Sequence, residues 1–103
     1  MRYNNLPSGQ SGASPAQPIV RAVGTPGLCV RVQNVSAIPV WVADSGGSLD
    51  NSVDASGTPN YGFILQPMGT VGESMVIPNV TTGLWARCAA AGGAVEASAW
   101  ENC

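Results

Sequence analysis

The sequence predicts an all-β fold, a small antiparallel β-sandwich or barrel of about seven short strands with an extended N-terminal arm. Three observations predict it. Apolar and polar residues alternate over short runs, the period of a strand with one buried face. Gly 13 and Pro 8 in 103 residues supply frequent tight turns. No helical period is longer than one or two turns, and 45% hydrophobic residues suffice for one core.

The clearest strand pair spans residues 28–42. In 28–33, Leu and Val at even positions alternate with Cys, Arg and Gln at odd positions, so one row faces inward and the other outward. Asn34 to Ser36 interrupts the pattern with side chains that bond their own backbone in turns. Val40 to Val42 is again rich in β-branched and aromatic types. These residues predict two strands folded back on each other.

Residues 1–18 precede the first strand and form the predicted arm. Most are Asn, Gln, Ser, Gly or Pro, with too few apolar groups to offset the entropy cost of ordering. Two interpretations stay open: a disordered tail, or an extended arm that orders on a neighbour through Tyr3 and Leu6. Fully extended, the arm would reach about 60 Å. Residues 19–103 form the predicted β-sandwich domain.

The rest of the domain is predicted as strands separated by turns and one long loop. Asp44 to Tyr61 is polar and long for a loop inside a compact domain, with room for a short strand near Val53. Gly92-Gly93 argues against a helix in the alanine-rich segment that contains it. The first strand is 19–23, and the later strands are expected at 62–65, 70–77, 84–89 and 94–100.

Charge is sparse and unevenly placed. The net charge is −2. Residues 1–43 hold three arginines and no acid, whereas residues 44–103 hold six acids and one arginine. This distribution of charge would allow head-to-tail contact between copies, or contact with an acidic support. The alternative is an ordinary surface with few charges. Without a basic stripe we expect no nucleic-acid partner, and without a long apolar run no membrane partner.

Three cysteines are an odd number, which argues against a closed disulfide framework. Cys29 and Cys88 lie inside predicted strands, where a thiol acts as a small apolar filler. Whether Cys103 cross-links copies after release into an oxidising medium is left open. No apolar run follows Arg2, so we expect synthesis and assembly in a host cytoplasm, where thiols stay reduced.

The residue types predict no enzyme, no catalytic residue and no cofactor. Histidine, the commonest general base, is missing, and no cysteine has an obvious activating partner. Asp50, Ser52 and Asp54 match three ligand positions of a calcium loop. Ala55 and Tyr61 replace its glycine and glutamate, so no metal site is predicted, and whether 44–61 takes an ion or a receptor is left open.

The tryptophans allow two interpretations. Trp41 and Trp85 lie within strands, where a core position or a subunit contact is expected. Trp100 is close to the end of the sequence and is the one most suited to meet a neighbour, because aromatics are enriched in interface cores. The alternative is a carbohydrate-binding module that stacks sugars on exposed indoles.

Four short motifs follow one another along the domain: Val30 to Ser36, Pro39 to Val42, Phe63 to Pro67 and Gly83 to Ala86. This progression resembles that of small virion proteins of tailed bacteriophages. In that family a strand ends in Asn-x-Ser, a second begins with Pro-Val, and a Leu-x-Pro segment precedes a Leu-Trp/Tyr-Ala strand near the C-terminus. The resemblance covers about residues 19–101 and leaves out the N-terminal arm.

This resemblance implies a capsid decoration or cement protein on the virion surface. Such proteins act in many copies, often as trimers, and clamp neighbouring major capsid subunits. The expected partners are therefore the major capsid protein and further copies of the chain, without catalytic residues. A neck or tail adaptor, or a fibre component, is the alternative within the virion. The expected interface residues are Arg2, Tyr3, Leu6 and Trp100.

Overall fold

The computed structural model describes residues 1–9 and 15–101, which form eight strands and one short helix. The strands build two antiparallel four-stranded sheets that enclose one apolar core, so the all-β sandwich prediction is confirmed. The elements are β1 (Arg2–Tyr3), β2 (Gln17–Val20), β3 (Leu28–Asn34), β4 (Val40–Ala43), α1 (Gly46–Asn51), β5 (Phe63–Leu65), β6 (Ser74–Val80), β7 (Leu84–Arg87) and β8 (Val95–Trp100).

The two sheets divide the chain between them. The first sheet has the order β1-β8-β3-β6, and the second has the order β2-β7-β4-β5. Val30 and Val32 of β3 pack across the core against Val40 and Val42 of β4, and all four are fully buried. Arg31 between the two β3 valines is exposed, as the alternation predicted.

Asn34 ends β3 and ties the two sheets together. Its side-chain amide donates hydrogen bonds to the carbonyl of Ile38 at 2.6 Å and to the carbonyl of Leu65 in β5 at 3.2 Å. Its Oδ1 atom accepts the N–H of Ser36 at 2.9 Å, which forms the predicted side-chain turn. A buried amide is stable here because its polar atoms have partners.

The N-terminal segment differs from the expected arm. β1 pairs with β8 through Arg2 opposite Glu96, and the Leu6 side chain is only 3% exposed in the main core. The Leu6 N–H donates to the Gly93 carbonyl at 3.0 Å. Residues 1–9 therefore belong to the sandwich, because an open sheet edge gives even a polar segment backbone partners. Residues 10–14, also within the expected arm, lie outside the described residues.

The segment 44–61 contains α1 and has no strand near Val53, so that part of the prediction is wrong. Ser45 caps the helix, because its hydroxyl accepts the N–H of Ser48 at 3.2 Å. Leu49 is fully buried, which fixes the helix on the protein. In the part of the chain that the structure describes, no helix is long and apolar enough to cross a membrane.

The two adjacent glycines of α1 provide a matched test of this packing. A Cβ atom added at Gly46 would lie 2.7 Å from Cδ1 of Trp85, whereas one added at Gly47 would meet nothing within 4 Å. We expect Gly46→Ala to destabilise the protein by about 1–3 kcal/mol through overpacking. Gly47→Ala should instead be neutral or stabilising by up to about 1 kcal/mol. Urea unfolding of both variants measures the difference, and equal effects would contradict this position of α1.

Candidate docking face

The outer face of the second sheet is covered by the protein itself. Trp41 of β4 and Trp85 of β7 pack there with Leu49 of α1, Ala43 and Ala16 in a second apolar cluster. Both indoles are partly buried, in agreement with a packing role. A sugar-stacking platform formed by Trp41 and Trp85 therefore has no support in this arrangement.

An ion pair holds the cover of this face, which consists of α1 and the segment at Ala16, in place. The Arg87 side chain is fully buried on the covered face and forms a salt bridge with Asp50 of α1. Arg87 Nη2 also donates to the Gly9 carbonyl at 2.6 Å. The Asp50 carboxylate accepts the N–H of Ala16 through both oxygens, at 3.0 and 3.1 Å. One ion pair thus links β7, α1 and the chain on both sides of residues 10–14.

The second acid of the partial calcium-loop match also engages protein donors. The Asp54 carboxylate accepts the hydroxyl of Ser56 at 2.6 Å and the N–H of Thr58 at 3.0 Å. These hydrogen bonds, that of the Ser56 hydroxyl first, lower the pKa of Asp54. Over residues 1–9 and 15–101, no three Asp, Glu, Cys or His side chains converge as metal ligands would. The carboxylates of Asp50 and Asp54 therefore stabilise the local fold through hydrogen bonds with protein groups.

The outer face of the first sheet is exposed, and we call it the bare face. Residues that lie opposite each other in neighbouring strands point to the same side of a sheet. Arg31 of β3 lies between Ser98 of β8 and Val76 of β6, and this row points outward because Val30 and Val32 point into the core. The same side carries Arg2, Glu96 and Trp100. Six residues of this face are exposed: Arg2, Arg31, Val76, Glu96, Ser98 and Trp100.

Charges of both signs mix on the bare face. Arg2 lies directly opposite Glu96, and Arg31 donates to the side-chain oxygen of Gln33 at 3.2 Å. The sequence suggested a cationic front and an anionic back, but β1 and β3 from the front flank β8 from the back. The separation along the chain therefore does not become a separation in space.

The bare face combines residue types that are common in protein interfaces with types that are not. Trp and Arg are enriched at binding hot spots, whereas Glu and Ser are depleted at interfaces. Trp100 is 41% exposed and Val76 is 56% exposed, so apolar area is available beside the Arg31 guanidinium. This part of the bare face therefore offers both apolar surface and charged hydrogen-bond donors.

The four predicted interface residues separate into two groups. Arg2 and Trp100 lie on the bare face, where their interface role stays a prediction. Tyr3 is half-buried and its hydroxyl donates to the Ile19 carbonyl at 3.1 Å, while Leu6 belongs to the core. Sequence reasoning missed Arg31 and Val76 as docking candidates, although the alternation in β3 already placed Arg31 outward.

Of the two cysteines predicted as apolar fillers, Cys88 is one and Cys29 is not. Cys88 is a free, fully buried thiol of the core, and burial raises its pKa to about 11, so it is a poor nucleophile at neutral pH. Cys29, opposite Trp100 in the β3–β8 ladder, is disulfide-bonded. Cys103, whose cross-linking was left open, lies outside the described residues.

A cleft of about 480 Å³ opens between the start of β5 and the end of β6. Phe63, Ile77 and Leu84 line it with apolar surface. At its mouth the Tyr61 hydroxyl donates to Asp44 Oδ1 at 2.8 Å, and this hydrogen bond raises the pKa of Tyr61. The cleft offers room for a small group.

No family model, curated protein or solved structure matches this chain. The fold and the contrast between the covered and bare faces are therefore the basis for the functional argument.

Proposed function

We propose that this protein is a structural component of a tailed-phage virion that decorates and cements the capsid exterior. In this proposal the bare face lies across the boundary between neighbouring major capsid subunits. The observation that carries the proposal is the asymmetry of the sandwich. One outer face is closed by α1 and the Arg87–Asp50 pair, and the other exposes Trp100, Val76 and Arg31.

The size of the bare face explains why such a protein would act in many copies. The strands β1, β8, β3 and β6 hold 2, 6, 7 and 7 residues. Spaced by about 4.8 Å, they present a face on the order of 350 Å². A stable interface buries about 800 Å² per partner, so one copy on a single subunit would bind weakly. Contacts with two neighbouring subunits, or between copies on the lattice, add the missing affinity through effective concentration.

The rigidity of the sandwich supports this role. A cementing protein must hold subunits at fixed distances, and a core with fully buried valines from both sheets gives a stiff body. The disulfide at Cys29 suits a particle that is released into an oxidising medium. These features support a structural protein that works by contributing contact area.

Two exposed arginines provide a matched test. Arg31 lies in the centre of the bare face, whereas Arg21 lies outside both sheets in the exposed segment that follows β2. We expect Arg31→Glu to reduce binding to undecorated shells of the parent phage by about 30-fold, the loss typical of a hot-spot residue. Arg21→Glu makes the same charge change and should leave binding within about threefold of the wild type.

Occupancy of purified shells, measured by sedimentation with labelled protein, separates the two variants. Equal losses for Arg31→Glu and Arg21→Glu would contradict docking through the bare face. Wild-type protein that fails to bind the shells at all would contradict the capsid assignment itself.

A further inference from the structure

β6 leaves an open edge on the first sheet. Among the strands of residues 1–9 and 15–101 it is the outermost of this sheet, and β3 is its only strand neighbour there. The segment from β5 to β6 is also unusually apolar at its surface. Of the nine large hydrophobic side chains that are exposed in the described residues, five lie within residues 64–76: Ile64, Met68, Val71, Met75 and Val76.

The usual protection of edge strands is confined to one end of β6. Natural sheet edges carry charges, prolines or bulges that prevent pairing with another strand. Pro78, the positive φ of Asn79 and a register shift in the ladder protect the end of the strand. Residues 74–77 carry neither charge nor proline. The Glu73 carboxylate beside them accepts the N–H of Gly69 at 3.2 Å.

The direction of the free backbone groups follows from one hydrogen bond. The Asn34 N–H donates to the Glu73 carbonyl at 2.7 Å, which makes these two residues a hydrogen-bonded pair. Hydrogen-bonded and non-hydrogen-bonded pairs alternate along an antiparallel ladder. Met75 and Ile77 therefore bond to β3, while the N–H and C=O groups of Ser74 and Val76 point away from the sheet.

We propose that two copies of this chain pair antiparallel through β6, about a two-fold axis at Met75. In this register Ser74 of each copy lies opposite Val76 of the other, and all their outward N–H and C=O groups form four hydrogen bonds. An axis at Val76 would instead place Ser74 opposite Pro78, which has no N–H to donate. Of these two registers, only the one at Met75 pairs every N–H and C=O group of Ser74 and Val76.

The second copy is the occupant that the charges favour. β6 has no charged side chain, so self-pairing brings no like charges together at the edge. A charged guest strand would find no opposite charge on β6. Met75 would meet its own equivalent, and Val76 would lie beside Ser74 of the second copy.

Edge pairing would extend the bare face. An antiparallel pair keeps each side of the sheet continuous, so both bare faces point in the same direction across an eight-stranded sheet. A dimer would thus present two docking faces to one support. The pairing itself depends only on β6, and it stands independently of the proposed virion role.

Cysteine cross-linking tests the register. Met75→Cys places two thiols in a non-hydrogen-bonded pair with Cα atoms about 4.5 Å apart, within the range of a disulfide. Val76→Cys places its two thiols on a diagonal with Cα atoms beyond about 7 Å, outside that range. With purified protein and a mild oxidant, Met75→Cys should form the covalent dimer at least tenfold faster than Val76→Cys. Equal rates, or a faster Val76→Cys, would overturn the register.

A proline variant tests the pairing without a cross-link. Val76→Pro removes an N–H that β3 does not use, and it should weaken dimerisation by about 30-fold through loss of two hydrogen bonds. Val76→Thr keeps this N–H and should dimerise like the wild type. Sedimentation equilibrium over a concentration series measures both. A wild type that stays monomeric at all concentrations, or that binds through β6 only to a different protein, would overturn the proposal.

Discussion

Asp50→Ala is expected to lower the free energy of unfolding by about 3–5 kcal/mol. The substitution leaves the fully buried Arg87 guanidinium without its carboxylate, and it removes the acceptor for the Ala16 N–H. Because the pair links β7, α1 and the N-terminal segment, the cover over the second sheet should loosen as a unit. For a domain of this size, the expected fall in Tm is on the order of 20 °C.

Two controls separate the ion pair from other effects. Asp54→Ala removes an exposed carboxylate from the same loop and should lower the free energy of unfolding far less than Asp50→Ala does. The double variant Asp50→Leu/Arg87→Met replaces the pair by apolar side chains and should recover most of the loss. Thermal unfolding followed by circular dichroism measures all three. An Asp50→Ala variant as stable as Asp54→Ala would contradict a structural role for the pair.

Leu6→Ala is expected to cost about 2–5 kcal/mol, the range for a fully buried leucine. Leu6 packs in the main core, although it lies in a segment whose composition suggests disorder. Val71→Ala, at a side chain that is 97% exposed, should change stability by less than about 0.5 kcal/mol.

Chemical denaturation compares these two variants. A separate arm would make Leu6→Ala as harmless as Val71→Ala, so this comparison decides whether residues 1–9 belong to the fold. A loss of stability with an unchanged m-value would identify Leu6 as a core residue of an otherwise normal sandwich.

The strands were predictable where the pattern is local. Alternation in 28–33 placed Val30 and Val32 in the core and Arg31 outside, and the Asn34 turn followed from the bonding habits of its side chain. These predictions depend only on residues that are close together in the sequence, so one sequence is enough to make them.

The other features depend on distant partners. Asp50 and Arg87 are separated by 37 residues, and no local spacing indicates that they meet. Ala16 and Leu49 form a second cluster only because Trp41 and Trp85 lie on the same outer face of the sheet and pack against them. The polar composition of 44–61 predicted a loop. Helix α1 was missed because its one buried residue, Leu49, does not make a detectable helical period.

The candidate site was predictable only in part. Arg2 and Trp100 were expected at an interface, but their common face requires the pairing of β1 with β8. The exposure of Val76 could not be predicted, because the sequence alone does not distinguish an exposed valine on a strand from a buried one. Leu6 was predicted to contact a neighbouring molecule, because the core residues that bury it come from distant parts of the chain.

The central claim is that the bare face lies against a capsid lattice. Imaging of the parent particle by electron cryomicroscopy tests it most directly. The proposal predicts many copies on the shell exterior, with Arg31 and Trp100 against the capsid subunits and α1 toward solvent. Density for the chain only at the neck or tail, or copies with α1 against the shell and the bare face outward, would contradict it.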